Sequence, residues 1–367
     1  MEKLHVGVIG AGAISDIYLQ NMTGCPWLSV DRIAAGHVER AQKKAEVYGA
    51  KACTVDELLA DPSIDLVVNL TPVGAHEGLI RRALEAGKHV YTEKTLTDDF
   101  ATGKELFALA KEKGLVLACA PETFMGSAWQ TARKAIDEGR IGTVTSFAIA
   151  CNRDNRILLS AFSFLRDPKA GVVNDYAVYP VTALVSLLGP VKEVASYVRA
   201  PYPKHVNILP MSPDFGKEMD TPAESEISVI LQMESGVAGT LHINCDSLLQ
   251  DQAYFTIFGT DGILFLSDAN SFGGEIRLLP NSPDPRTPLP AEVLAPVNEY
   301  TENSRGIGPM DIACALQEGR KSRVDAQMAL HVQDVLTGIL VSGSEHRFVS
   351  METSMERPEP FFGFGQA

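Results

Sequence analysis

The first residues able to do chemistry form a glycine loop. The run Leu4–Ile9 (LHVGVI) leads into Gly10-Ala11-Gly12-Ala13-Ile14-Ser15, a G-x-G-x-x-S pattern, and then into a helical stretch. A strand that turns through glycines into a helix leaves backbone N–H groups free where the helix dipole is positive, and such a terminus holds a pyrophosphate. Gly10 permits the tight turn and Gly12 lets the backbone approach the phosphates. Ser15 is small enough at the third position for helix–strand packing. A second signal would be an acid at the end of the second strand, gripping the ribose 2′-OH of NAD. The chain reads Ile33-Ala34-Ala35-Gly36-His37-Val38-Glu39-Arg40, and the slot near Ala35 or Gly36 is empty of acid. His37 and Arg40 are the side chains placed to meet a 2′-phosphate, although Arg40 also reads as a solvated charge opening the next helix. NAD is the first cofactor candidate and NADP the second.

A polar cluster, Cys151-Asn152-Arg153-Asp154-Asn155-Arg156, ends a later strand. Arg153, Asn155 and Arg156 suit the recognition of hydroxyl groups, and suit a solvated loop equally well. The eight histidines show no H-E-x-x-H or similar spacing, so no metal is expected. The six cysteines are at least 28 residues apart and include no C-x-x-C pair, which points to reduced, buried thiols.

The elements that would position these groups come in two series. Up to about residue 120, short apolar runs alternate with helical segments: Leu4–Ile9, Val30–Ala35, Asp65–Leu70, His89–Thr92 and Leu115–Ala120, with helices at Ala13–Met22, Arg40–Tyr48 and His76–Ala86. Thr54-x-x-Glu57 is a capping box, and Thr97 is placed to cap a helix reaching Lys113. This alternation implies a parallel sheet covered on both faces. After a helix near Ala128 the runs Val144–Cys151, Val191–Val198, Ser225–Met233, Val237–Cys245, Gln252–Phe258 and Ile263–Leu266 follow one another through turn signals. They imply an antiparallel sheet, interrupted by a helix at Tyr176–Leu188. Ala200–Pro222 and Pro280–Pro296 read as long surface loops, and two late helices run near Pro309–Glu318 and Asp325–Gly343.

The segments Thr71-Pro72-Val73-Gly74-Ala75-His76, Ala83-Leu84-Glu85-Ala86-Gly87-Lys88-His89-Val90 and Glu93-Lys94 match a familiar pattern. So do Ala183-Leu184-Val185-Ser186-Leu187-Leu188-Gly189-Pro190 and the late His331. Together they resemble the glucose-fructose oxidoreductase / inositol dehydrogenase / rhizopine catabolism (Gfo/Idh/MocA) family over nearly the whole chain. The resemblance implies that Lys94, the lysine of a Glu-Lys-Pro motif, sits beside nicotinamide and substrate, where an ammonium can hold a hydroxyl oxygen or move its proton. It places Thr71, Pro72, His76 and Glu93 around the cofactor with Gly10, Ala11, Gly12, Ala13, Ile14, His37 and Arg40. Thr95 departs from the motif's proline. The family's Asp-x-x-x-His appears as Asp175-Tyr176-Ala177-Val178-Tyr179, with tyrosine in place of histidine. At i and i+4 on one helix, Asp175 and Tyr179 would share a face. Asp175 could orient a hydroxyl or Lys94, cap its own helix, or do both at once. Tyr179 either donates a phenolic proton or packs.

The 367 residues suggest two domains. The expected fold is α/β: an N-terminal Rossmann domain over residues 1–122, then a substrate-binding α+β domain over 123–367 with an open, mostly antiparallel sheet. The formal charge of −14 argues against nucleic acid or an anionic membrane as partner. No apolar run approaches the roughly 18 residues needed to cross a bilayer, and residues 1–10 do not read as a signal peptide, so a cytoplasmic location is expected. An open sheet face would expose too much apolar surface in a monomer, so a homodimer or homotetramer is expected. By resemblance, the activity is NAD(P)-dependent hydride transfer at a secondary alcohol of a sugar, polyol or glycoside, with the C3 hydroxyl of a glycoside favoured. The alternatives are an aldose or ketose reductase and a non-catalytic, cofactor-sensing regulator.

Overall fold

The computed structural model describes residues 3–248, 252–284 and 286–365. The chain forms two compact units. One comprises residues up to Met125 together with Glu302–Gln333, and the other comprises Gly126–Thr301 and the chain from Asp334 onward. The return of residues 302–333 to the first unit has no counterpart in the sequence, which suggests a single break at 122.

The first unit runs β1 (Leu4–Ile9), α1 (Ser15–Met22), β2 (Leu28–Ala34), α2 (Val38–Tyr48), β3 (Lys51–Cys53), α3 (Val55–Ala60), β4 (Leu66–Asn69), α4 (His76–Glu85), β5 (His89–Thr92), α5 (Phe100–Lys113) and β6 (Leu117–Cys119). Its six strands are parallel, in the order β3-β2-β1-β4-β5-β6. This is the Rossmann arrangement, with the order reversing beside β1. β4 is buried at all four positions, as expected of a central parallel strand. The capping box forms: Thr54 Oγ1 accepts the Glu57 N–H, and the Glu57 carboxylate accepts the Thr54 N–H. Thr97 does not cap α5. Asp99 does, accepting the Thr102 N–H at 2.7 Å, while Thr97 is buried and accepts from Gln333 Nε2.

The second unit runs α6 (Ser127–Asp137), β7 (Val144–Asn152), α7 (Arg156–Ala161), α8 (Val178–Leu188), β8 (Val191–Arg199), β9 (Lys204–Val206), β10 (Glu218–Asp220), β11 (Glu226–Met233), β12 (Ala238–Asn244), β13 (Gln252–Gly259), β14 (Gly262–Leu266), β15 (Arg277–Pro280) and β16 (Glu292–Val293). The chain then forms α9 (Ile307–Glu318) in the first unit, α10 (Ala326–Glu345), which passes from first to second, and β17 (Val349–Ser350). The large sheet has the order β16-β15-β14-β13-β7-β12-β11-β8-β17, antiparallel except where β7 meets β12. The stretch 200–222 is not all loop, because β9 and β10 pair within it. Likewise β15 and β16 pair around 280–296.

β11 alternates buried and open positions, which fixes one face toward the core. The buried face includes Ile227, Val229, Leu231 and Phe255, and the Phe255 ring meets Trp129 of α6 edge-on at 5.2 Å. On the opposite face, register places Tyr197, Ser228, His242, Ala150 and Tyr254 in one row across five strands. Tyr197, Tyr254 and the nearby Ile230 are more than half exposed. No helix of the described residues is long and apolar enough to cross a membrane.

Candidate active site

β1 delivers the glycine loop to the carboxyl edge of the parallel sheet. The Gly10 N–H donates to the Ala34 carbonyl at 2.8 Å, and the Leu70 N–H donates to the Ile9 carbonyl at 2.7 Å, so β2 and β4 flank the turn. Gly10 has φ +116°, and a Cβ there would lie 2.7 Å from the backbone carbon and oxygen of Leu70. Only glycine fits. Gly12 is different: it is exposed, and a Cβ would meet no protein atom within 4 Å. Ser15 is buried and its Oγ donates to the Gly12 carbonyl at 2.7 Å, closing the turn. Ile14 precedes α1 with no side-chain cap, so no side chain competes for that turn's N–H groups. Ala11, Ala13 and Ile14 complete the loop. These features fit a dinucleotide: a turn at Gly10 that admits no side chain, an open backbone at Gly12 and an uncapped helix start.

At the end of β2, Ala35 is half-buried, and Gly36, His37 and Arg40 are exposed. His37 precedes α2, and the Arg40 N–H donates to its carbonyl at 3.0 Å. Arg40 lies in the first turn of the helix.

The loops after β4 and β5 are tied together. Asn69 is fully buried; its Nδ2 donates to Thr92 Oγ1 at 3.1 Å, and its Oδ1 accepts from Thr71 Oγ1 at 2.7 Å. Pro72 follows in extended backbone. His76, also fully buried, spans both loops. Its Nε2 lies 2.8 Å from the Thr71 carbonyl and its Nδ1 2.8 Å from the Thr95 carbonyl. Burial lowers the His76 pKa and outweighs the two carbonyls, which pull the other way. The Lys94–Thr95 bond is cis although threonine stands where proline was expected. Glu93 caps this corner, its Oε2 accepting the Lys94 N–H at 3.0 Å. Lys94 therefore stands at the carboxyl end of β5, in the same unit as the glycine loop.

The remaining expected site residues lie in the second unit. Asp175 falls in a single π-helical turn, Val173–Ala177, that precedes α8. The sequence reading of an uninterrupted α-helix from Tyr176 is corrected here, and the wider turn removes the simple i, i+4 argument for Asp175 and Tyr179. Asp175 is not a helix cap: Val172 and Ala177 precede the two helical segments, neither with a side-chain cap. Tyr179 is buried, its ring 6.0 Å from that of Tyr176. Tyr176 donates to Asp268 at 2.7 Å, and the Arg153 guanidinium stacks 4.3 Å above its ring. Arg156 turns back onto Asp154, with a bidentate pair at 2.8 and 2.5 Å, and opens the unforeseen helix α7.

A pocket in this unit brings Asp175 and Asn155 together with Glu224, His205, Ser225 and Asp246. The Asn155 Oδ1 is buried without a hydrogen-bond partner. Glu224 accepts the Val173 N–H at 3.0 Å, and burial raises its pKa. His205 Nε2 lies 3.4 Å from Asp246. Glu224, His205 and Asp246 went unnoticed in the sequence because they come from separate strands and loops with no spacing signal. The same holds for Tyr18, Tyr91 and Glu122, which meet beneath Glu93. Among the described residues no three His, Cys, Asp or Glu gather as metal ligands, and all six cysteines are buried free thiols.

The model of the oxidoreductase family with an NAD-binding Rossmann fold matches residues 4–120, and that of the GFO/IDH/MocA C-terminal domain matches residues 129–265. The chain belongs to the Gfo/Idh/MocA oxidoreductase family. Residues 4–120 are thus the NAD-binding Rossmann domain of that family. An uncharacterized oxidoreductase of Schizosaccharomyces pombe is 35% identical over 37% of this chain and 37% of its own length. The dTDP-3,4-didehydro-2,6-dideoxy-alpha-D-glucose 3-reductase of Streptomyces violaceoruber is 33% identical over 52% of this chain and 56% of its own. These matches span about half, or less, of the relatives' lengths. A levoglucosan dehydrogenase, solved with NADH and L-sorbose, superposes with TM-score 0.83 over 96% of this chain and 100% of its own, at 21% identity. That likeness concerns the fold.

Proposed function

We propose that the protein is an NAD(P)-dependent dehydrogenase acting on a secondary alcohol of an uncharged sugar, polyol or glycoside, with C3 of a glycoside as the favoured position. One observation carries the reading: Lys94 stands at the carboxyl end of β5, in the unit whose β1 carries an uncapped glycine loop. The nicotinamide, when bound through Gly10–Ile14, Thr71, Pro72 and His76, supplies the hydride chemistry. The chain's own residues handle the proton. The Lys94 amine takes it from the hydroxyl as the carbinol becomes a carbonyl, and returns it in the reverse direction. Asp175 accepts a hydrogen bond from a substrate hydroxyl, and the Tyr179 phenol donates one.

The pocket chemistry supports an uncharged substrate. Asp175, Glu224 and Asp246 line it with a single imidazole, His205, a set that recognises hydroxyls and repels phosphates. The buried, unpartnered Asn155 Oδ1 is an acceptor suited to one more hydroxyl. The C3 position rests on the Streptomyces relative, whose name specifies reduction at position 3 of a hexose; that hexose carries a dTDP group, so the ring position alone is taken from it. We further propose that the exposed row containing Tyr197 and Tyr254 is covered by a second copy of the chain. The test is Lys94→Ala against Asp175→Asn. Lys94→Ala lowers kcat by about 10² or more, the usual worth of a positioned acid or base, with cofactor affinity within about tenfold. Asp175→Asn raises substrate KM without changing cofactor affinity. Near-wild-type turnover in Lys94→Ala would overturn the reading.

A further inference from the structure

Beneath the strand end that carries Lys94 lies a buried network that the proposed chemistry does not use. Tyr18 and Tyr91 are fully buried, and Glu122 is 1% exposed. Tyr18 Oη lies 2.8 Å from Glu93 Oε1, 3.3 Å from Glu122 Oε2 and 3.2 Å from Tyr91 Oη. Tyr91 donates to the same Glu122 Oε2. The other Glu122 oxygen accepts the Gly306 N–H at 2.8 Å, and the other Glu93 oxygen accepts the Lys94 N–H at 3.0 Å. The charged and titratable groups facing Glu122 are Glu93, the phenols Tyr18 and Tyr91, the Cys119 thiol and Arg305.

The protons can be counted. Each phenol has one hydrogen to give. With both carboxyls ionised, Tyr91 gives its hydrogen to Glu122 and Tyr18 gives its own to Glu93, the shorter contact. Tyr18 Oη and Glu122 Oε2 then face one another with no hydrogen between them. Two negative charges are bridged by one phenol, and one of them is wholly buried, which is the costly arrangement. One added proton on Glu122 Oε2 completes the chain. Glu122 then donates to Tyr18, Tyr18 donates to Glu93, and Glu93 holds the Lys94 amide. Burial and the nearby Glu93 charge both raise the Glu122 pKa, in agreement.

We infer that Glu122 is a neutral carboxylic acid in the folded protein, and that Glu122 and Tyr18 are positioning residues that fix Glu93 and, through it, the strand end bearing Lys94. The positioning half rests on the reading of Lys94 given above; the protonation half does not. In the neutral chain the Tyr18–Glu93, Tyr91–Glu122 and Glu122–Tyr18 contacts each have one hydrogen, and of the four contacts only the Tyr18–Tyr91 pair, 3.2 Å apart, has none. Removing the Tyr18 hydroxyl takes a donor from the Glu93 carboxylate.

The experiment has two arms on the full-length protein. In the first, kcat, cofactor KM and substrate KM are followed across pH for wild type, Tyr18→Phe, Glu122→Ala and Glu122→Gln. Tyr18→Phe lowers kcat about tenfold and leaves cofactor KM unchanged, because Glu93 loses the donor that holds it. Glu122→Ala lowers kcat similarly. Glu122→Gln, neutral and able to donate to Tyr18, restores most of that loss. A Glu122→Gln variant as impaired as Glu122→Ala, or a Tyr18→Phe variant with wild-type kcat, overturns the positioning role. In the second arm, the infrared difference between wild type and Glu122→Gln at pH 7 shows the carbonyl stretch of a protonated carboxyl. Carboxylate bands alone overturn the neutral form. This arm needs only the isosteric variant, so it stands even where Tyr18→Phe fails to fold. Unimpaired turnover in Lys94→Ala would instead remove the catalytic reading and leave the infrared result intact.

Discussion

Gly10 and Gly12 are two residues apart, yet substitution should damage different things. Gly10 has φ +116° and its added carbon would lie 2.7 Å from the backbone of Leu70. A side chain held in that region costs about 1–3 kcal/mol, before the collision with β4's trailing backbone is counted. At roughly 2–4 °C per kcal/mol for a domain of about 150–250 residues, Gly10→Ala should lower Tm by at least about 2 °C. Gly12 lies outside the left-handed region and its added carbon touches nothing within 4 Å. Gly12→Val should therefore leave the fold within about 0.5 kcal/mol of wild type, as for other open surface positions. Its cost falls on the ligand. The branched side chain keeps phosphate oxygens from the loop's N–H groups. Losing two such charge-assisted bonds, about 1.5–3 kcal/mol each, weakens NAD binding by at least about a hundredfold. Scanning calorimetry reads the first effect and isothermal titration with NAD the second. A Gly12→Val protein that binds NAD normally, or melts as early as Gly10→Ala, would refute the reasoning.

Three further outcomes are expected. The acid-free end of β2 should give weak cofactor discrimination with NAD slightly favoured, and Ala35→Asp should sharpen it by adding a ribose acceptor and a repulsion together. The check is kcat/KM with each cofactor, and a wild-type NADP preference above about a hundredfold would contradict it. Burial lowers the His76 and His89 pKa values, and His89 Nδ1 must stay unprotonated to accept the Val116 N–H at 2.9 Å. Because the unfolded chain takes up these protons first, their contribution is complete above about pH 6.5 and is lost as pH falls toward the lowered folded values. Urea titrations should show stability falling by up to about 1.4 kcal/mol per pH unit for each histidine in that window. Replacing His76 by Gln should flatten part of that slope, and an unchanged slope would count against a neutral His76. Finally, a neutral glycoside should outperform its 6-phosphate in kcat/KM, because three carboxylates line the pocket; the reverse order would show that the pocket does not receive the substrate.

The parallel half of the fold was legible because its signals are local. Apolar runs, the Thr54–Glu57 capping box and the glycine loop each specify backbone geometry within a few residues. Helix α7 and the β9–β10 pair were missed because Asn, Pro and Ser in those stretches also spell loops. The return of residues 302–333 was invisible because its contacts are long-range, such as Gly306 on Glu122. The site divides in the same way. Motifs nominate Lys94 and Asp175 as candidates, whereas the Tyr18–Tyr91–Glu122 network and the Glu224–His205 side of the pocket exist only once strands and helices are packed. The π-turn at Asp175 shows the limit of spacing arguments, since one extra residue per turn changes which side chains share a face.

The most direct test of the central claim follows nicotinamide absorbance while the protein is incubated with a panel of neutral glycosides, polyols and aldoses, with oxidised and reduced NAD and NADP. The account predicts substrate-dependent turnover of the nicotinamide with at least one uncharged member, falling about 10² or more in Lys94→Ala. Tight cofactor binding with no turnover of any member, in either direction, would contradict it.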